Sequence, residues 1–493
     1  MIPSIIRMPG LALETGIWIL ATLAIGGLGW ATVNPAGTTV YGLEIDRLTT
    51  TLTLLVAVVG GVTFRFARRY LLGEDGQRRF LWWHAAAIVS AMLLMLSGNL
   101  VLLWATWTCT SVALHELLTH YAHRPEAWPP ARKKFLISRL GDIALITAIL
   151  VIAIGYGTTD LATFIATATA SPEALPVQVV ATCIVIAALT KSAQFPFHSW
   201  LPETMEAPTP VSALMHAGII NAGGALVLKF APVIATSPVA ICLLVGVGVV
   251  TAILGMLSMW AQTNVKRTLA WSTISQMGFM MIQLGLGVFP AAILHIVGHG
   301  CYKAWNFLAC GWVTPGTALK PMAPARHLAL VTVGTLAAGA VIGGFCSLLS
   351  IDIWHHPGEA TLFGVLAIAI GQAWPIVLAR PSILRLVSVL GLTAAAAVAA
   401  MTLHRGATVF YSVGVMTAVP VDPLLAWPLG GVVLAATVAL VIAHAMLPVL
   451  SRSAAGRAVR THALHGFYCG AVADRLVRTL SFAPASHGAK AHA

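Results

Sequence analysis

The sequence predicts an all-α polytopic membrane protein, and three observations carry that reading. Of the 493 residues, 58% are hydrophobic and 9% charged, with a mean hydropathy of +0.88; a soluble domain carries about a quarter charged residues. Apolar runs of about 20 residues, enough to cross a bilayer, recur almost end to end. Basic residues gather in short loops on alternate sides of those runs. The net charge of +12 therefore reads as topology, not as a nucleic-acid footprint. Seven Cys without a C-x-x-C pair read as small buried hydrophobes rather than a disulfide framework or zinc ribbon. There is no P-loop, dinucleotide-binding glycine pattern, catalytic triad or haem-attachment motif.

In chain order, Arg7 and the apolar run after it lack a small-residue cleavage site, which predicts a retained first helix. Spans are expected near 11–31, 48–66, 80–97, 99–119, 138–156, 174–206 (broken), 208–230, 239–260, 267–288, 290–312, 327–350, 359–379, 382–402 and 424–450. That makes about fourteen crossings. Arg65, Arg68, Arg69, Arg78 and Arg79 share one loop, and Arg132, Lys133, Lys134 and Arg139 a second. Lys266/Arg267, Lys320/Arg326, Arg380/Arg385 and a tail with Arg452, Arg457 and Arg460 continue the series. Positive-inside counting puts both termini in the cytoplasm. The tail, His462–Leu480, has an apolar stripe of helical spacing (Leu464, Phe467, Tyr468, Ala471, Leu476, Leu480) suited to a membrane surface or a partner.

The most informative stretch is an interrupted segment over 177–230. An apolar run meets Lys191, then Pro196, Pro202, Pro208 and Pro210, and a second run carries His216 and ends near Lys229. Each Pro removes a backbone donor and clashes with the preceding turn, so no continuous helix passes through. Within a bilayer, irregular backbone survives only when buried in protein or lining a wet cavity. An ionisable residue beside such a break is a functional candidate; the plainer alternative is a snorkelling Lys before an ordinary loop.

A second cluster, HIVGHGCYKAW, sets His295, His299 and Lys303 at i, i+4 and i+8, one face of a helix. Two His so spaced could bind zinc, but the Glu of H-E-x-x-H is absent. A metal or haem site, a polar core stripe and a proton relay are the alternatives, and the relay is favoured because His can pass a proton through either ring nitrogen. His115 and Glu116, on an earlier span, and Asp142 in SRLGD are further candidates. His120/His123 and His355/His356 fall in expected loops.

KSAQFPFHSWLPETMEAPTPVSALMHAGIINAGG, Lys191 to Gly224, closely resembles the signature of the antiporter-like membrane subunits of respiratory complex I and Mrp-type cation/proton antiporters. Within that superfamily, HAGIINAGG after APTPVSALM looks like the DabB-type subunit of bacterial inorganic-carbon pumps. The resemblance runs from about Tyr41 to the C-terminus. It implies two inverted five-helix repeats, each with a broken helix: one over 99–230 broken at 191–208, the second over 239–379 with its break at Gly343–Gly344. Residues 1–47 and 48–98 would precede them, with helices over 380–450 and an amphipathic tail over 451–493 following.

The resemblance also implies an ion pathway through Lys191, His216, Lys229, Lys266, His295, His299 and Lys303, with Asp142 at an acidic family position; His115, seven residues after Thr108 on nearly the same helical face, and Glu116, about 80° from it, are further possible partners of Lys191. It implies no cofactor or metal in this chain and H⁺ or Na⁺ as the moving ion. The partner would be a large peripheral zinc-containing subunit of the DabA type, similar to carbonic anhydrases, at the bacterial inner membrane. Two positions depart from the family pattern. Thr108 follows Trp107 where a Glu is expected, and Leu348 stands where a Lys or Glu ends the pathway. The alternatives are a proton-pumping subunit of a complex I-like or Mrp-type assembly, and a non-conducting anchor.

Overall fold

The computed structural model describes residues 8–312, 322–412 and 421–480. Helix α1 (Met8–Val33) leads to a hairpin of β1 (Thr38–Val40) and β2 (Leu43–Ile45), antiparallel with Thr38 opposite Ile45. Helices α2 (Arg47–Tyr70), α3 (Gln77–Leu96), α4 (Leu100–Leu118) and α5 (Trp128–Tyr156) follow, then the short α6 (Leu161–Ala168) and α7 (Leu175–Lys191). After an interruption come α8 (Thr209–Ala217), α9 (Ala222–Lys229) and α10 (Ala231–Ile234). Next are α11 (Pro238–Ala261), α12 (Val265–Gly285), α13 (Phe289–Leu308), α14 (Pro324–Leu348), α15 (Pro357–Gly371) and α16 (Trp374–Val377). Helices α17 (Ile383–Tyr411), α18 (Pro423–Leu450), α19 (Ala454–Leu464) and α20 (Cys469–Leu480) complete the described chain.

Among the described residues, eleven helices are long and apolar enough to cross a membrane. Of the expected crossings, α7, α12 and α13 are outside that set: α7 has 17 residues, and α12 and α13 carry many polar side chains. Thr209–Lys229 is wholly buried, whereas α1, α14, α17 and α18 bury at most 22% of their central windows. Broken backbone thus sits at the centre, and smooth apolar helices form the flanks, the arrangement a bilayer demands.

Small residues set the central packing. A Cβ on Gly278 would lie 2.7 Å from the Ala252 nitrogen, and one on Gly255 2.7 Å from the Ser275 nitrogen, so α11 and α12 touch backbone to backbone. Gly300 likewise brings α13 against the Ala217 carbonyl of α8.

Four expectations are corrected. Lys133 and Lys134 are not loop residues: Pro129 and Pro130 start α5, which Pro favours at its first turn, and both lysines are buried within it. Helix α14 runs unbroken through Gly343–Gly344; Gly weakens a helix without severing it, and the irregular backbone follows Leu348, with Ser350 left-handed at φ 51°. Helix α17 continues to Tyr411, through half of the expected 403–423 loop. Of the seven free Cys only Cys346 is buried, and Cys109, Cys242 and Cys301 are exposed, because apolar runs here face outward as often as inward. Lys320 lies outside the described residues.

Candidate functional site

Lys191 is the last residue of α7. The chain turns away through Ser192 and Ala193, the latter left-handed at φ 48°, passes through a 3-10 segment over Leu201–Glu206, and resumes α-helix at Thr209. The turn is pinned by Ser192 Oγ donating to the Ile220 carbonyl (2.8 Å) and the Phe195 N–H donating to Thr251 Oγ1 (3.0 Å). Gly223 permits it, since a Cβ there would collide with Ser192 and the Ala188 carbonyl.

The Lys191 ammonium reaches across to α4. It donates to Thr110 Oγ1 at 2.7 Å, the Trp107 carbonyl at 3.2 Å and Ser111 Oγ at 3.4 Å, and it lies 4.4 Å from the centre of the Trp107 ring. Trp107 Nε1 donates to Asp142 Oδ1 (3.0 Å) on α5, and Asp142 Oδ2 is 2.6 Å from Arg139. Asp142 thus touches the indole that Lys191 lies over, without an ion pair to Lys191 itself. Lys134 donates to the Ser111 carbonyl at 2.6 Å, so Ser111 receives one lysine on its side chain and another on its backbone. Both lysines line one small cavity with Thr110, Ser138, Thr190 and Trp200.

The α13 stripe forms a second group. His295 Nδ1 is 2.7 Å from Gln283 Oε1 on α12, and the His295 and His299 rings are 5.8 Å apart. His299 lies against the His216 backbone, the His216 ring stacks on Phe307 at 4.4 Å, and Lys303 donates to the Leu269 carbonyl at 3.1 Å. Both ring nitrogens of His216 and the Nε2 atoms of His295 and His299 are buried without a protein partner among the described residues. Buried polar atoms are rarely left so.

The remaining candidates lie elsewhere. Glu116 is paired with Arg79 of α3. His115 packs on Phe135. Lys229 pairs with Glu44 of β2 at 3.1 Å, both largely buried. Lys266 is half-buried in the first turn of α12. Thr108 and Leu348, the two departures, make no polar contact: Thr108 Oγ1 has no partner among the described residues, and Leu348 is 80% exposed.

Sequence reasoning missed Lys134, Gln283, Glu44 and a buried pair between His404 Nε2 on α17 and Glu359 Oε1 on α15, 3.2 Å apart. The Pro pair before Lys134 was a usable helix-start signal. Gln283 and His295 meet across the tight α12–α13 connection, which twelve residues of separation allow. Nothing local marks Glu44 or His404.

Buried lysines therefore fall into two kinds. Lys133 and Lys229 are neutralised by carboxylates within 3.1 Å. Lys191, Lys134 and Lys303 have only carbonyl, hydroxyl and ring partners. A buried or half-buried charge without a carboxylate in direct contact is costly, and such groups inside a membrane protein are ion-pathway candidates.

Residues 97–347, just over half of the chain, match the family described as NADH:quinone oxidoreductase/Mrp antiporter, transmembrane. The chain belongs to this family. A relative named a probable inorganic carbon transporter subunit, DabB2 of Halothiobacillus neapolitanus, is 37% identical over 343 residues, covering 69% of this chain and 62% of that protein. The similarly named DabB of Hydrogenovibrio crunogenus is 37% identical over 284 residues, 57% of this chain and 54% of the relative. The NADH-quinone oxidoreductase subunit L of Mycobacterium tuberculosis is 35% identical over 276 residues, 55% and 43%. The chain therefore spans less than two thirds of the length of these relatives. Among solved structures, the Mrp complex from Dietzia sp. DQ12-45-1b superposes with a TM-score of 0.61 at 25% identity, over 95% of this chain and 58% of that one. The archaeal membrane-bound sulfane sulfur reductase shares the fold, with a TM-score of 0.58 at 18% identity over 96% and 94%. This is a multi-pass integral membrane protein of the antiporter-like family.

Proposed function

We propose that this chain is the ion-translocating subunit of an energy-coupled inorganic-carbon uptake complex of a bacterial inner membrane. It carries H⁺ or Na⁺ down its gradient and so energises a large peripheral zinc-containing subunit of the DabA type, on which CO₂ and bicarbonate chemistry takes place. The observation that carries the ion-path part is the Lys191–Lys134 pair, a half-buried and a buried ammonium group on one residue of α4 with no carboxylate in contact. The unpartnered His216, His295 and His299 nitrogens, with Lys303, form a second polar group around α13. Water bridging those nitrogens would complete a relay, since His accepts on one ring nitrogen and donates from the other. The inorganic-carbon part rests on the relatives' names. Basic residues at the ends of α2 and the starts of α3, α12 and α17 favour a cytoplasmic side that also holds the tail.

The second reading is a proton-pumping subunit of a complex I-like or Mrp-type assembly, favoured by the Mrp likeness over 95% of the chain. Affinity purification from the native membrane separates the two. A large zinc-containing soluble subunit in stoichiometric yield is expected; recovery of Mrp or quinone-oxidoreductase subunits instead would overturn the carbon-uptake reading.

A further inference from the structure

We propose that a half-open cavity between the 192–208 interruption and the C-terminal helices is the cytoplasmic vestibule of the Lys191 site, reached through His198 and Ser199 and narrowed by a tail that the Lys133–Asp474 ion pair latches in place. The proposal rests on the reading of Lys191 as an ion-path residue. The cavity has a volume of about 180 Å³ and is lined by His198, Ser199 and Glu203 of the interruption, Arg267 of α12, and His465 and Gly470 of the tail. Trp200, the residue after Ser199, lines the cavity that holds Lys191 and Lys134, so three consecutive residues face one space or the other. Each offers a buried polar atom, His198 Nδ1, Ser199 Oγ and Trp200 Nε1, that has no protein partner among the described residues. His198 and Ser199 are 2% and 5% exposed, and side chains so buried need partners drawn from the spaces they face.

The polar ties of the cover converge on one lysine. Lys133, whose side chain is fully buried, donates to Glu203 at 2.7 and 3.0 Å, lies 2.9 Å from Asp474 of α20, and is 3.4 Å from the Gly470 carbonyl. One ammonium thus ties the interruption to the tail. Gly466, left-handed at φ 59°, sits where a Cβ would lie 2.7 Å from the Trp271 ring, and Gln262 Nε2 donates to the Leu464 carbonyl at 3.2 Å. The Asp474 side chain is 36% exposed, so water competes for this contact and the latch can open.

Thiol accessibility tests this on the full chain in native-lipid vesicles of either orientation. Ser199→Cys, in a Cys469→Ser background with the parent as control, is treated with a charged, membrane-impermeant methanethiosulfonate. Labelling from the tail side is expected, rising about fivefold when Asp474→Asn removes an ion pair worth about 1 kcal/mol. Gln262→Cys, at the rim, should label from the same side and be similarly accelerated. Labelling of both positions without acceleration by Asp474→Asn would overturn the latch. Labelling of Gln262→Cys with an inert Ser199→Cys, or labelling from the opposite side, would overturn the vestibule. Labelling needs no transport, so these outcomes are separate from any failure of Lys191 in a transport assay.

Discussion

At the scale of residues, Lys191 owes its surroundings to one face of α4. Trp107, Thr110 and Ser111 stand at i, i+3 and i+4, which a helix places together, and all three touch the ammonium. Thr108 is one step, about 100°, around that helix from Trp107. The family's carboxylate position is therefore beside the contact face, not on it. Installing a carboxylate distinguishes the two. Thr110→Glu should trap the ammonium in an ion pair, and a charge-assisted hydrogen bond of about 1.5–3 kcal/mol would slow turnover by about ten- to a hundredfold. Thr108→Glu should change turnover by no more than about fivefold, because an ion pair of at most about 1 kcal/mol is all that a half-buried position beside the contact face supplies. Counter-ion flux in vesicles, measured against pH for both variants, decides between them; the reverse order would place the partner at 108.

At the scale of elements, glycine has opposite meanings in two helices. Gly278 holds α12 against the α11 backbone, so Gly278→Val should cost more than the 1–3 kcal/mol usual for overpacking and lower detergent-solubilised yield. Gly343 has nothing within 4 Å of an added Cβ, so Gly343→Ala should raise stability by about 0.5–1 kcal/mol through helix propensity. Thermal unfolding in detergent reads both. The same contrast shows what was legible in the sequence. The prolines around 196–210 reported the α7–α8 interruption because proline acts locally, through its own ring and missing N–H. His295, His299 and Lys303 were legible as one stripe because helical spacing is local too. The α14 glycines misled, since glycine permits a break without imposing one. The meeting of Lys134 with Ser111, of Gln283 with His295 and of Lys133 with Asp474 depends on how helices pack, and only the fold could bring those residues together.

At the scale of the whole molecule, a buried polar centre is flanked by apolar helices, with the basic helix ends and the tail on one side. A reporter fused after Ala493 is expected to give a cytoplasmic signal, and one inserted within 413–420 an external signal; an external C-terminus would invert the topology. The central claim is that ions pass by way of Lys191, and flux measures it most directly. The chain is reconstituted with its co-purified partner into vesicles carrying a pH or Na⁺ gradient, and ion uptake is followed for wild type, Lys191→Ala and Lys191→Arg. Arginine keeps its charge and cannot release a proton in a protein, so for a proton path both variants should fall to the level of empty vesicles while the assembled complex is retained. Wild-type flux in an assembled Lys191→Ala complex would contradict the account and leave Lys191 a structural residue at a helix end.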